Sequence, residues 1–249
     1  MLTPERHRKI LERLQESEIV KIHELVEATA SSESTIRRDL SQLEKEKKLK
    51  RVHGGASLLE QKGVELSISE KSTKNLKEKE KVARYTASLI RDGDCIFLDA
   101  GTTTFQMIPF IEAKEVKVVT NGLTHIEALL EQNIDTYLLG GAIKPKTRAL
   151  IGQGAIAGLN QYRFDKCFIG VNGVHLDYGY STPDPEEAMI KKNALYLSQV
   201  GYMLCDHSKF HEVTFSKIAD LKDAVIVTDA DEELIAEFKE ETTVKVVTP

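Results

Sequence analysis

Ser32-Glu33-Ser34-Thr35-Ile36-Arg37-Arg38-Asp39-Leu40, followed at 50–56 by Lys-Arg-Val-His-Gly-Gly-Ala, decides the reading of this chain. Ile36, Leu40 and Leu43 recur at i, i+4 and i+7, so they share one face of a helix. Ser34, Arg38, Ser41 and Lys45 fall opposite them, with Thr35 and Arg37 on the flanks. Ser32 is a natural N-cap, because its hydroxyl can accept from the free N–H groups of the first turn. The outer face therefore offers hydroxyls and two guanidiniums, the side chain best shaped to grip phosphate and read guanine edges. Asp39 is expected to orient one of these arginines. Alone, such a segment could equally be an amphipathic helix with a solvated basic face.

The flanking sequence separates the two readings. Residues 4–17 carry Ile10, Leu11 and Leu14 at helical spacing, and residues 21–29 predict a second helix, with Val20, Ile22, Leu25 and Val26 apolar. Leu49 to Leu59, broken at Gly54-Gly55, predicts a hairpin. Helix, helix-turn-helix and wing in that order form a DNA-binding architecture. Ser34, Thr35, Arg37 and Arg38 are the expected groove contacts, and Lys50, Arg51 and His53 the expected backbone contacts at the wing.

Charge agrees with this division. Residues 1–58 hold 12 of the 34 Lys+Arg and 10 of the 39 Asp+Glu, so a slightly basic head precedes an acidic body in a chain of net charge −5. A head so weakly basic should bind duplex DNA usefully only in pairs, which predicts a homo-oligomer, a dimer or tetramer. No apolar run is long enough for a membrane span, and Met1-Leu2-Thr3-Pro4 leads straight into a charged helix rather than a signal peptide. Cys95, Cys167 and Cys205 all lie in apolar runs, as expected of reduced, buried thiols in a cytoplasmic protein.

Residues 60–76 are polar and weakly periodic and read as a linker, followed by a helix from about Lys77 to Ile90. Apolar runs at Cys95–Asp99, Val116–Asn121, Thr136–Gly140, Lys166–Val171, Gly201–Cys205 and Ala224–Thr228 then alternate with amphipathic segments, including 124–132 and 184–199. The expected fold is α/β: a winged helix-turn-helix over 1–59 and a doubly wound, mostly parallel α/β domain over 77–249.

Ligands of open α/β sheets bind outside the carboxyl ends of the strands. Those ends here read Asp99-Ala-Gly101-Thr102-Thr103-Thr104, Asn121-Gly122, Gly140-Gly141 with Lys144 and Arg148 beyond, Asn172-Gly173, and Asp206-His-Ser-Lys209. Gly101–Thr104 joins a strand to a helix N-terminus, where N–H groups and the dipole favour an anion. It is neither a Walker loop nor a dinucleotide fingerprint, so a small phosphorylated molecule fits it best. A plain capping turn is the alternative. Asp206 and Lys209 could hold sugar hydroxyls and phosphate, or form a simple loop salt bridge. His207 and His211 lie near Cys205 but lack a second cluster for a metal, and His125 and His175 read as ordinary polar residues. No nucleophile motif and no cofactor motif is present.

Over nearly its whole length the chain resembles the DeoR-type bacterial repressors. The resemblance rests on Ser34-Thr-Ile-Arg-Arg-Asp-Leu40, Arg51-Val-His-Gly-Gly-Ala56, Gly93-Asp94, Leu98-Asp-Ala-Gly-Thr-Thr103, Thr120-Asn121, Leu139-Gly-Gly141, Gly170-Val-Asn-Gly173 and Ser208-Lys-Phe210. It implies a sensor domain similar to ribose-5-phosphate isomerase and glucosamine-6-phosphate deaminase. It also implies a repressor of a sugar-use operon, released from duplex operator DNA by a phosphorylated sugar. Met1-Leu-Thr-Pro-Glu-Arg-His7 and the Leu98–Thr104 loop look most like fructose-operon repressors, whose inducer would be fructose 1-phosphate. The enzyme relatives carry a proton-moving carboxylate where this chain has Asn172, which favours binding without turnover. An active isomerase with an appended DNA module is the competing expectation.

Overall fold

The computed structural model describes residues 2–17, 19–46, 48–52, 54–57 and 66–247. The chain divides into two compact units, Met1–Gln61 and Lys62–Pro249.

In the first unit, α1 (Thr3–Glu16), α2 (Ile22–Thr29) and α3 (Glu33–Lys45) enclose a core of Ile10, Leu14, Ile22, Leu25, Ile36, Leu40 and Leu43. The apolar stripe of α3 is the predicted one, and Ser32 caps it by accepting from Thr35 N–H. Strands β2 (Lys50–Val52) and β3 (Gly55–Ser57) form the wing, with Gly54 at φ +76° in the turn. An additional strand, β1 (Ile19–Lys21), pairs with β3. A Cβ on Gly55 would stand 2.3 Å from the Val20 carbonyl oxygen, so only glycine lets the wing close on β1. Val20 thus belongs to a strand and not to the second helix.

The second unit opens with α4 (Ile68–Thr73), inside the segment expected to be linker, and α5 (Leu76–Ala87). The sequence carried a signal for α4: Ser67 and Glu70 form a reciprocal capping box. The remaining chain lays down β4 (Cys95–Leu98), α6 (Thr102–Met107), β5 (Lys117–Thr120), α7 (Ile126–Glu131), β6 (Asp135–Leu138), β7 (Ala142–Ile143), β8 (Leu150–Ile151), α8 (Gln153–Leu159), β9 (Phe164–Gly170), β10 (Gly173–His175), β11 (Gly179–Thr182), α9 (Pro185–Tyr196), β12 (Ser198–Cys205), β13 (Ser216–Ala219), β14 (Val225–Thr228) and β15 (Val244–Val246). The segment read as one amphipathic run over 184–199 ends as a helix at Tyr196, and β12 begins at Ser198.

A seven-stranded sheet runs β15-β14-β12-β9-β4-β5-β6, every described pairing parallel. Both faces are covered: on β4, Ile96 and Leu98 enter one core and Phe97 the other. The six expected strands are present, and β15 adds an edge that the sequence reading omitted. Small antiparallel sheets, β10-β11-β13 and β7-β8, flank the main one. Strand order departs in opposite directions from β4 and β9, so the topological switch point lies between them. In doubly wound folds that crevice is where ligands sit.

Candidate nucleic-acid interface and effector site

On α3, Ser34, Arg37 and Arg38 are exposed and Thr35 is partly so. Arg37 is engaged by Glu33 one turn back, at 2.6 Å. Arg38 makes no side-chain hydrogen bond or ion pair among the described residues. Arg51 ties the wing to this helix: its guanidinium donates to Ser41 Oγ (2.9 Å) and its N–H to Glu44 (2.8 Å). Lys50 is exposed beside it, and His53 lies outside the described residues.

Asp39 does not orient these arginines. It is buried and binds Arg6 of α1 through both carboxylate oxygens, with His7 at 3.3 Å. The position explains this, because Asp39 is three residues after Ile36 and four before Leu43, on the apolar stripe. Burial pushes its carboxyl up, but the hydrogen bonds from Arg6 and His7 together hold it below the usual carboxylate range.

In the second unit, the carboxyl ends of neighbouring strands bring Asp229, Asp206, Gly170, Asp99 and Asn121 into one row: Gly170 ends β9, and the others follow β14, β12, β4 and β5. Three of the expected ligand contacts are committed to the scaffold instead. Asp99, 1 % exposed, spans the switch point: it accepts from Gly170 N–H (3.1 Å) and pairs with Lys191 (2.5 Å). Asn121, 1 % exposed, accepts from Ala100 N–H (3.0 Å) and donates to the Leu150 carbonyl (3.4 Å). Thr104 is fully buried, accepting from Gly101 N–H and donating to the Asp99 carbonyl. These bonds shape the Gly101 loop, in which Thr102 is half-buried and Thr103 buried at 8 % exposure.

Lys144 is likewise taken up, by Asp184 (2.9 Å) and Glu187 (3.1 Å). Arg148 is exposed in the same loop. Gly140 is open, whereas Gly141 packs against the Ile151 carbonyl and Gly173 is buried in β10. Asn172, half-buried, accepts from Thr182 (3.2 Å). Asp206 is 3 % exposed and Lys209 half-buried. Burial raises the Asp206 carboxyl, but Lys209, Ser208 and Asn75 outweigh it and hold it low.

His125, read as an ordinary polar residue, is fully buried against Thr104 and Phe105. Cys167 and Cys205 are buried, but Cys95 is only half-buried. His207 pairs with Asp229 and His211 with Glu237. Among the described residues no helix is long and apolar enough to cross a membrane.

The sequence reading missed a set of lysines. Lys191, 5 % exposed, donates to the Gly170 carbonyl besides pairing with Asp99. Glu187 would rise on burial, yet Lys191, a Thr147 hydrogen bond, Lys144 and Lys71 hold it low. Lys79 is buried on α5 and donates to the Lys71 carbonyl. Burial lowers it to about 8, Asp206 opposing and Lys209, Lys71 and Lys74 adding to the fall. Glu187, Lys191 and Ala194 share one face of α9 at i, i+4 and i+7. A charged pair written into an apolar stripe was the signal available.

A winged helix-turn-helix followed by an α/β sensor with a cation-rich strand-end site defines a DNA-binding transcriptional regulator. Residues 6–62 match the DeoR-like helix-turn-helix domain, and residues 74–230 match the DeoR C terminal sensor domain. The chain is 51 % identical over 251 residues, all of both chains, to a Bacillus subtilis (strain 168) protein named "Uncharacterized HTH-type transcriptional regulator FruR". It is 35 % identical to the lactose phosphotransferase system repressor of Staphylococcus aureus (strain N315), over 88 % of this chain and 90 % of that one. Ribose 5-phosphate isomerase A from Methanocaldococcus jannaschii aligns at TM-score 0.41 and 19 % identity over 55 % of each chain. The chain belongs to the DeoR family. It is a transcriptional regulator and not an enzyme.

Proposed function

We propose that this chain is a cytoplasmic repressor of a sugar-use operon, fructose foremost, that leaves its operator when a phosphorylated sugar such as fructose 1-phosphate occupies the strand ends of the second unit. One observation carries this reading: Lys79 and Lys209 stand by the buried carboxylate of Asp206, and Lys191 pairs with buried Asp99 at the strand ends. A sugar phosphate needs cations for its phosphate and acceptors for its hydroxyls, and both stand here together. Thr102, Thr103, Lys209 and Arg148 take the phosphate, and Asp206 and Asn172 take hydroxyls. Asp99, Asn121 and Thr104 act by holding the loops that carry these groups.

Ser34, Thr35 and Arg38 enter the major groove of duplex DNA, joined by Arg37 once it gives up Glu33. Lys50, Arg51 and His53 hold the backbone at the wing. Two heads on paired half-sites supply the affinity, so the working form is a homo-oligomer. The 51 % identity to a named transcriptional regulator supports the DNA half of this reading.

A paired substitution separates the two halves. Arg38→Ala should weaken operator binding roughly ten-fold or more while calorimetric binding of fructose 1-phosphate stays unchanged. Lys209→Ala should weaken sugar phosphate binding roughly ten-fold and leave DNA binding in the absence of ligand intact. Operator affinity that survives Arg38→Ala would overturn the recognition helix. Sugar phosphate binding indifferent to Lys209→Ala would overturn the site.

A further inference from the structure

Residues 67–75 lead from the DNA-binding unit into the sensor, and they lie on the effector site rather than apart from it. The amide of Asn75 donates to Asp206 Oδ1 at 2.9 Å, the same oxygen that Ser208 N–H engages at 3.0 Å. Ile68 N–H donates to the Lys146 carbonyl (2.9 Å), in the loop between Lys144 and Arg148. The Lys71 carbonyl receives the buried Lys79 ammonium. Each of these polar contacts ends on the strand-end cluster or on a loop beside it.

The hold is of an unusual kind. None of the six residues of α4 is fully buried, and Ile68, its one apolar residue, is half-buried. Asn75 sits at φ +53°, a left-handed conformation that Asn tolerates and that here aims its amide at Asp206. Segments with few buried apolar contacts occupy the low end of local stability and open first. Asp206, meanwhile, is 3 % exposed. A ligand from solvent reaches its carboxylate only if part of the cover moves, and Asn75 is the part that residues 67–75 contribute.

Resting on the reading that the strand ends bind a sugar phosphate, we propose that residues 67–75 form a strap latched by Asn75 on Asp206. The ligand's hydroxyls take the place of the Asn75 amide and release the strap. Because the strap continues into the chain of the DNA-binding unit, its release is the step by which occupancy of the site is reported. The amide is a fitting stand-in: like a sugar hydroxyl it donates a hydrogen bond to a carboxylate, without charge.

The test is hydrogen exchange and calorimetry on the full chain, with fructose 1-phosphate and inorganic phosphate as probes. Asn75→Gly removes the amide but keeps the positive φ free of strain, and Asn75→Ala serves as a second variant. Fructose 1-phosphate should speed exchange at 67–75 in the wild type, inorganic phosphate should not, and Asn75→Gly should show that speed without ligand. Asn75→Gly should also bind fructose 1-phosphate roughly five-fold or more tightly and operator DNA correspondingly less tightly, as coupling between sites requires. Sugar phosphate binding with unchanged exchange and unchanged affinity in Asn75→Gly would overturn the latch. Slower exchange at 67–75 on binding would also overturn it, in favour of a lid that closes. If no sugar phosphate binds the wild type, the effector reading itself falls, and the latch with it.

Discussion

His125 is a buried titratable group of the sensor unit. It is fully buried, and burial lowers it to about 4, against a bond to the Asp99 backbone that pulls the other way. Its ring lies beside Thr104 Oγ1 at 3.3 Å, and a Cβ on Gly122 would stand 2.6 Å from its Nδ1. The native imidazole therefore stays neutral well below pH 6.5, while the unfolded chain protonates there. The unfolded state binds more protons between pH 6.5 and 4, so stability is full above this window and falls through it. The expected loss is about 3 kcal/mol across the window. It is measured by urea denaturation of the sensor transition at several pH values, with His125→Gln expected to flatten that dependence. An equally steep fall in His125→Gln would assign the effect elsewhere.

At the scale of elements, the pair Arg6–Asp39 fastens α1 to α3. Removing Asp39 leaves a buried guanidinium without its carboxylate, and breaking one side of a buried pair costs several kcal/mol. Asp39→Ala should therefore unfold the DNA-binding unit at lower urea, by about 3 kcal/mol, with the sensor transition unmoved. Arg6 and His7 lie more than thirty residues from Asp39 in sequence, so only the apolar stripe hinted at Asp39's direction. The elements with strong periodicity were legible: α3 and its stripe, the wing around Gly54-Gly55, and six of the seven strands of the main sheet with their ends. Those set by tertiary contact were not. Strand β1 is three residues long and defined only by pairing with β3. The helix α4 has no apolar face, and only its capping box marked it. The candidate site was legible as a place and less so as a set of atoms. Asp99, Thr104 and Asn121 stand at the predicted ends, yet Lys191 and Lys79 come from helices whose inward turn only packing decides.

For the whole molecule, the proposed function takes its input at the sheet's switch point between β4 and β9 and gives its output through the winged helix. A ligand can shift such a protein only by as much as its affinities for the DNA-bound and free arrangements differ. The most direct measurement is fluorescence anisotropy of the chain's own upstream DNA, titrated with the purified protein at fixed salt, with and without fructose 1-phosphate. Specific binding that fructose 1-phosphate weakens at least about five-fold, and that inorganic phosphate leaves unchanged, is the predicted result. Specific binding of the same affinity in fructose 1-phosphate and in a panel of other sugar phosphates would contradict the gated repressor.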